Sequence, residues 1–292
     1  GQSMSLVRNP QYHGSYSGNV GRVRLVFVGM ETRDPQLPAL YDAGELDILR
    51  VNELGSSVAE GLCRRNPGSR VVRVPSQALH FLVFDMTRPP FDDPRVRRAF
   101  VLGTDSGALV SAGPAAGLLP ATGGLTPPGV PGHCPEIAPP FDPQRARQLL
   151  AEAGYPDGRG FPAITFMAYP PPVGELLRTQ WRHNMGLDIP WATMEWGEYL
   201  RTVNRNQPHV HVMGWHADYP DPDSFLRVCL AQHSMWRNER YDELVQKARR
   251  VLDQGERMRL YRQAEEILVA EAPLMVLAYR ETVVLVQPWV KS

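Results

Sequence analysis

Lysine is almost missing from this chain. Of 31 basic residues only Lys247 and Lys291 are lysines, and the others are arginines, which we read as coding bias rather than function. Excess charge is missing too, since 31 acidic side chains balance the basic ones. A neutral balance gives no electrostatic case for nucleic acid or for an anionic membrane surface. No apolar run reaches the ~18 residues that span a bilayer. The opening GQSMSLVRNPQYHG lacks the basic and apolar regions of a signal peptide. Cysteine is scarce: Cys63, Cys134 and Cys229 stand far apart with no CxxC, which argues against a metal cluster. One disulfide with a spare thiol and three free thiols both fit, so the cysteines leave the compartment open.

What is plentiful is proline and glycine, 28 and 25 in 292 residues. That suits a fold with many short connections and falls short of a disordered composition. The length allows one or two domains with a sizeable core.

The first third alternates strand and helix patterns. RVRLVFVG (22–29) reads as a strand, PQLPALYDAG as a short helix closed by Gly44, and LDILRV (46–51) as a second strand. SSVAEGLCRR is helical in pattern, and SRVVRVP and HFLVFDM read as two strands. Such alternation is typical of an α/β domain. Asp93-Pro94 and Asp142-Pro143 mark two helix starts, with aspartate as N-cap and proline in the first turn. Between those helices, 111–141 is a long Pro/Gly/Ala-rich connection. Further on, AITFMAY (163–169) and DIPWATMEW read as strands around a helix that Gly186 closes. EYLRTVNRN is a helix, and HVHVMGW a strand. Two amphipathic helices follow, the second stopped by Pro273, and LMVLAYR and TVVLVQP form two closing strands.

The segment GWHADYPDPDSFL (214–226) carries the sharpest chemical question, because three aspartates, two prolines and three aromatics crowd where a strand ends. A solvated turn explains it, and so does a site for something cationic and partly apolar. For Asp221 and Asp223, turn and cap chemistry suffices. His209 and His211 share one strand face, yet no Asp/Glu/His spacing completes a tetrahedral metal set, so hydrogen-bonded or exposed histidines are expected. Neither a nucleophile elbow nor a phosphate loop is present, so no cofactor and no enzymatic activity are expected.

Several stretches converge on one family. FLVFDMTRPPFDDPRVRRAFVLGTD and FDPQRARQLLAEAGYPDGRGFP resemble two landmarks of the extracytoplasmic solute-binding proteins of peptide-importing ABC transporters, family 5, which includes oligopeptide, dipeptide and nickel binders. SLVRNPQYHG, ALYDAGELDI, GWHADYPDPDSFL and VVLVQPWV match further elements in the family's order. The resemblance implies an α/β fold of the periplasmic-binding-protein type, two-lobed (type II, large peptide-binding class), with one lobe incomplete. It implies part of lobe one in 1–78, lobe two in 79–272, and return strands to lobe one in 273–292. The family's signal peptide, first lobe segment and small extra domain would precede Gly1, roughly 200 residues by family size.

The resemblance also assigns roles. Asp218 matches the aspartate that pairs with a peptide's α-ammonium group, and Trp215 lies in the cleft beside it. His216 and Ala217 would contribute nearby backbone groups. Trp196 matches a tryptophan lining a side-chain pocket, with a core tryptophan as the alternative. Asn52 and Tyr279 fall at lobe-one positions that face ligand in the family. Val212 departs from the pattern, since the oligopeptide branch has an arginine there that can engage the peptide C-terminus. The expected function is capture of oligopeptides between two lobes for delivery to the ABC permease. The protein would be a monomer without nucleic-acid partners, periplasmic or extracellular, and membrane-anchored as a full-length lipoprotein. Alternatives are a ligand-sensing module of a transcriptional regulator with the same fold, and a binder of a non-peptide solute such as a nickel chelate or sugar.

Overall fold

Capping chemistry sets the first helix boundaries. The computed structural model describes residues 2–15, 17–29, 33–52, 54, 56–112, 117–169, 171–206 and 208–291. Its first elements are β1 (Gln2–Val7), β2 (Arg22–Phe27), α1 (Arg33–Asp42), β3 (Ile48–Arg50), α2 (Ser56–Arg65) and β4 (Arg70–Phe84). Then come α3 (Pro94–Leu102), α4 (Ser106–Ala112), β5 (Leu118–Pro120), α5 (Pro143–Glu152), β6 (Phe166–Met167) and α6 (Pro171–Met185). The last are β7 (Trp191–Ala192), α7 (Trp196–Asn206), β8 (Val210–His216), α8 (Leu230–His233), α9 (Glu239–Ala248), α10 (Gln254–Glu271) and β9 (Leu274–Val286). Asp93 and Asp142 open α3 and α5 by accepting from the backbone N–H of Arg95 and Arg145. Gly186, at φ 73°, ends α6 in a conformation that a side chain would strain. Residues 117–141 hold only β5 among the regular elements, as the composition predicts, while 113–116 lie outside the described residues.

Two compact units form, one from residues 1–72 with 283–292 and one from residues 73–282. In the first, Tyr41, Leu49, Leu54, Leu62 and Leu285 are buried, and β3 pairs antiparallel with the end of β9. An antiparallel ribbon of β1 and β2 belongs to the same unit.

In the second unit the strands run β9-β4-β8-β6-β7, with β5 on the outer side of β9. Both faces of this sheet are covered, so HFLVF reads as a continuous apolar run rather than an alternation. Leu79, Phe81 and Met213 face one core, shared with Tyr199, Phe225, Tyr241, Tyr261 and Leu268. Leu82, Phe84, Val210 and Val212 face the other, with Phe100, Leu150 and Trp181.

The structure corrects several sequence expectations. SRVVRVP and HFLVFDM are one strand, β4, because Gln77 O accepts from Ala217 N and Ala78 pairs with His216, which carries the ladder through the expected break. The two closing strands are likewise one, β9. AITFMAY shortens to two strand residues, since Thr165 turns its N–H and hydroxyl to the His209 ring. DIPWATMEW shortens to Trp191–Ala192. The boundaries 78/79 and 272/273 also shift: residues 73–78 and 273–282 group with the second unit. Leu274, Met275, Leu277 and Tyr279 are buried in its two cores, so the early part of β9 does not return to the first unit.

Candidate ligand-binding site

The stretch after β8 is pinned almost atom by atom. Ala217 N donates to Gln77 O at 2.8 Å, extending the β4–β8 ladder past His216. Ser224, fully buried, receives both Asp218 N (3.1 Å) and Trp215 Nε1 (3.3 Å) on its hydroxyl. Trp215 is half-buried and meets the His233 ring edge-on. These bonds leave the backbone of residues 215–218 little freedom.

The three aspartates divide sharply. Asp221 accepts two bonds from the Arg257 guanidinium, at 2.6 and 2.7 Å, and one from Asp223 N. Asp223 is buried and bonded to Arg227 and to the Tyr219 hydroxyl, with Arg249 nearby. Burial alone would raise its carboxyl, but the bonds from Arg227 and Tyr219 outweigh it and hold the group below the usual range. Asp218, in contrast, is exposed, and its carboxylate meets no hydrogen-bond or ion-pair partner among the described residues. Ion pairs with Arg257 and Arg227, rather than the expected turn and cap bonds alone, account for Asp221 and Asp223 and leave Asp218 over.

Trp196 opens α7 with its ring 40% exposed. It stacks on Tyr199 at 5.6 Å and 15° and touches Tyr169 at 5.1 Å. The Tyr199 hydroxyl donates to Val212 O at 2.6 Å, so the exposed indole rests on a ring fixed to β8. Trp196 is thus neither a core tryptophan nor a loose surface one.

Two candidates from the sequence sit differently. Tyr279 is fully buried; its hydroxyl donates to Gly124 O (2.6 Å) and accepts from Gly123 N (3.1 Å). Asn52 is also buried, and its Oδ1 accepts from Val283 N at 2.8 Å. Both side chains hold backbone in place. Trp215, His216, Ala217 and Asp218 are contiguous at the end of β8, with Trp196 elsewhere in the same unit.

Sequence reasoning missed the residues that meet this segment from other elements, namely Arg257 at Asp221, His80 opposite Gly214 and Arg280 beside His216. Only cross-strand register and helix packing bring them there. No group of three or more potential metal ligands gathers among the described residues. His211 is buried and pushed down to about 4, mainly by that burial, which keeps it neutral. Cys63, Cys134 and Cys229 are all free thiols. Among the described residues, no helix is long and apolar enough to cross a membrane.

Residues 1–235 match the family described as bacterial extracellular solute-binding proteins, family 5 Middle. Di/tripeptide-binding protein 1 of Pseudomonas aeruginosa (strain UCBPP-PA14) is 32% identical over 229 residues, covering 71% of this chain and 42% of that protein. The periplasmic oligopeptide-binding protein OppA of Escherichia coli (strain K12) is 28% identical, covering 98% of this chain and 54% of its own length. This chain therefore spans about half the length of such relatives. Among solved structures, the periplasmic binding protein DppA from Helicobacter pylori in complex with the peptide STSA superposes with TM-score 0.76 at 25% identity, covering 99% of this chain and 57% of that one. The fold is that of the periplasmic peptide-binding proteins, and the chain belongs to the bacterial extracellular solute-binding proteins of family 5.

Proposed function

We propose that this chain is part of the solute-binding component of an ABC importer, which captures peptides and hands them to a membrane permease. The observation that carries this reading is the Asp218 carboxylate, exposed and without a partner among the described residues, on a backbone that Ser224 and β4 hold rigid. A carboxylate kept in that state suits a cationic guest, and every peptide offers an α-ammonium group whatever its sequence. Trp215 and Trp196 supply apolar walls for side chains, and backbone groups of His216 and Ala217 offer strand-like pairing. Recognition by charge and backbone permits wide side-chain tolerance. Asn52 and Tyr279 serve by supporting the frame.

The full-length protein would act by closure of two lobes, the ligand stabilising the closed population. It would work as a monomer on the periplasmic or extracellular side, anchored as a lipoprotein, and alter no covalent bond of its ligand. Native mass spectrometry of the full-length protein, purified without denaturation, tests this. Co-purified masses that fragment as peptides are expected. A nickel chelate or sugar in their place would overturn the peptide assignment.

A further inference from the structure

A loop without helix or strand, residues 121–134, lies between α10 and the ligand segment. It is braced from within: Thr126 O meets His133 Nδ1 at 2.7 Å, and the N–H groups of Val130 and His133 donate to Pro127 O and Val130 O. One part of it is tied to Glu265, which accepts from Thr126 N at 2.6 Å. Gly124 allows that approach, since a Cβ there would lie 2.5 Å from Glu265 Oε1. Further along, Gly132, at φ 83°, rests on Met258 and Pro222, and a Cβ there would lie 3.4 Å from Pro222 Cγ. Pro222 stands between Asp221 and Asp223, in the turn whose Ser224 hydroxyl holds Asp218 N. The loop thus touches a buried carboxyl and the ligand turn at once, all within the second unit.

Thr126 Oγ1 is buried beside the same carboxyl and has no hydrogen-bond partner among the described residues. A protonated carboxyl can donate to that oxygen while accepting from Thr126 N, and an ionised one has no proton to donate. Tyr241 of α9 and Tyr279 of β9 face the group, both hydroxyls pushed up by burial and then by its charge. Tyr261 lies one turn before it on α10, and His133 and Cys134 are the ionisable side chains of the loop. Arg262, the neighbouring cation of α10, pairs with Glu266 instead. Burial pushes Glu265 up to about 7, against hydrogen bonds from Thr126 and Leu125. We propose that Glu265 is a proton-operated latch on the ligand turn: protonated, it holds the loop against Pro222; ionised, it shifts the loop towards water and weakens peptide binding. This rests on the reading above, in which residues 215–218 hold a peptide. Leu125 and Val130 are buried in the core, which limits the motion to a shift. The sign follows from linkage: the latched loop favours the proton, so binding is tightest at low pH and weakens as pH rises through 7. Reciprocally, a peptide that favours the latched loop raises the proton affinity of Glu265.

The test is calorimetry with trialanine on the full-length protein, wild type and Glu265→Gln, at pH 6 and pH 8. Glutamine offers an acceptor and a donor at both pH values, as the protonated acid does at the lower one. Titrations of the peptide and of the histidines are common to both proteins, so the ratio of their affinities isolates Glu265. That ratio is expected to move about fivefold against wild type at pH 8, within the tenfold per pH unit that one linked proton allows. An unchanged ratio overturns the latch. Hydrogen exchange on wild type needs neither the variant nor a ligand. Corrected for intrinsic rates, protection of 121–134 and of 218–224 should fall together from pH 6 to pH 8, while that of β4 holds. Constant protection in either segment also overturns the latch. Trialanine that binds at neither pH, with protection falling in both segments, would remove the peptide reading and leave the latch on the turn standing.

Discussion

The Glu265 carboxyl of α10 is 1% exposed and has no ion-pair partner among the described residues, accepting instead from Thr126 N at 2.6 Å. Burial pushes it up to about 7, and hydrogen bonds from Thr126 and Leu125 pull only part of the way back. Its unfolded value is 4.5, so the folded state holds the extra proton between those values. Stability from this group is full below pH 4.5 and is lost as pH rises through 7. We predict that Glu265→Gln, which keeps the shape and the acceptor, abolishes this slope. The stability gap between variant and wild type should widen by about 3 kcal/mol from pH 4.5 to pH 8. Denaturant unfolding at the two pH values checks it, and parallel pH curves would contradict it. The aspartates of the 214–226 segment should separate in the same experiment at pH 7. Asp221→Asn breaks a partly buried bidentate pair with Arg257 and should cost about 1–2 kcal/mol of stability. Asp218→Asn should leave stability unchanged, as expected for an exposed side chain with no partner among the described residues.

At the level of elements, Arg97 joins α3 to the end of α10. Its buried guanidinium donates to Phe91 O and Asp92 O on one side and to Glu271 O and Ala272 O on the other. Ala272 ends α10 in the left-handed region, φ 49°, before Pro273. Arg97→Met keeps the bulk but strips these buried carbonyls of their donor, so a loss of about 3 kcal/mol is expected. Thermal or denaturant melts would show it, and a variant as stable as wild type would remove the clamp. Such links explain what could be read in the sequence. Helix starts at Asp93 and Asp142 were legible because capping is local, decided within four residues. The continuity of β4 and β9 was not, since their partners decide where a strand stops. The family resemblance singled out Asp218 and Trp215, whereas the inward packing of Tyr279 and Asn52 could not be read, because a sequence does not say which way a side chain points. Arg280 and His80 escaped notice because a sequence carries no register between strands.

At the scale of the whole molecule, the account reduces to one interaction, a carboxylate waiting for an ammonium group. The second unit holds Asp218, Trp215 and Trp196. Its sheet, covered on both faces, supplies the stiffness that keeps these groups in place before a ligand arrives. Such preorganisation lowers the ordering cost of binding. The most direct test is a calorimetric cycle on the full-length protein that combines Asp218→Asn with N-acetylation of a short peptide. Each change alone should cost about 2–5 kcal/mol of binding free energy, because it leaves one charge desolvated and unpaired. Together they should cost clearly less than their sum, since both remove the same interaction. Costs that simply add, or a variant that binds free and acetylated peptides as tightly as wild type binds the free one, would contradict the account.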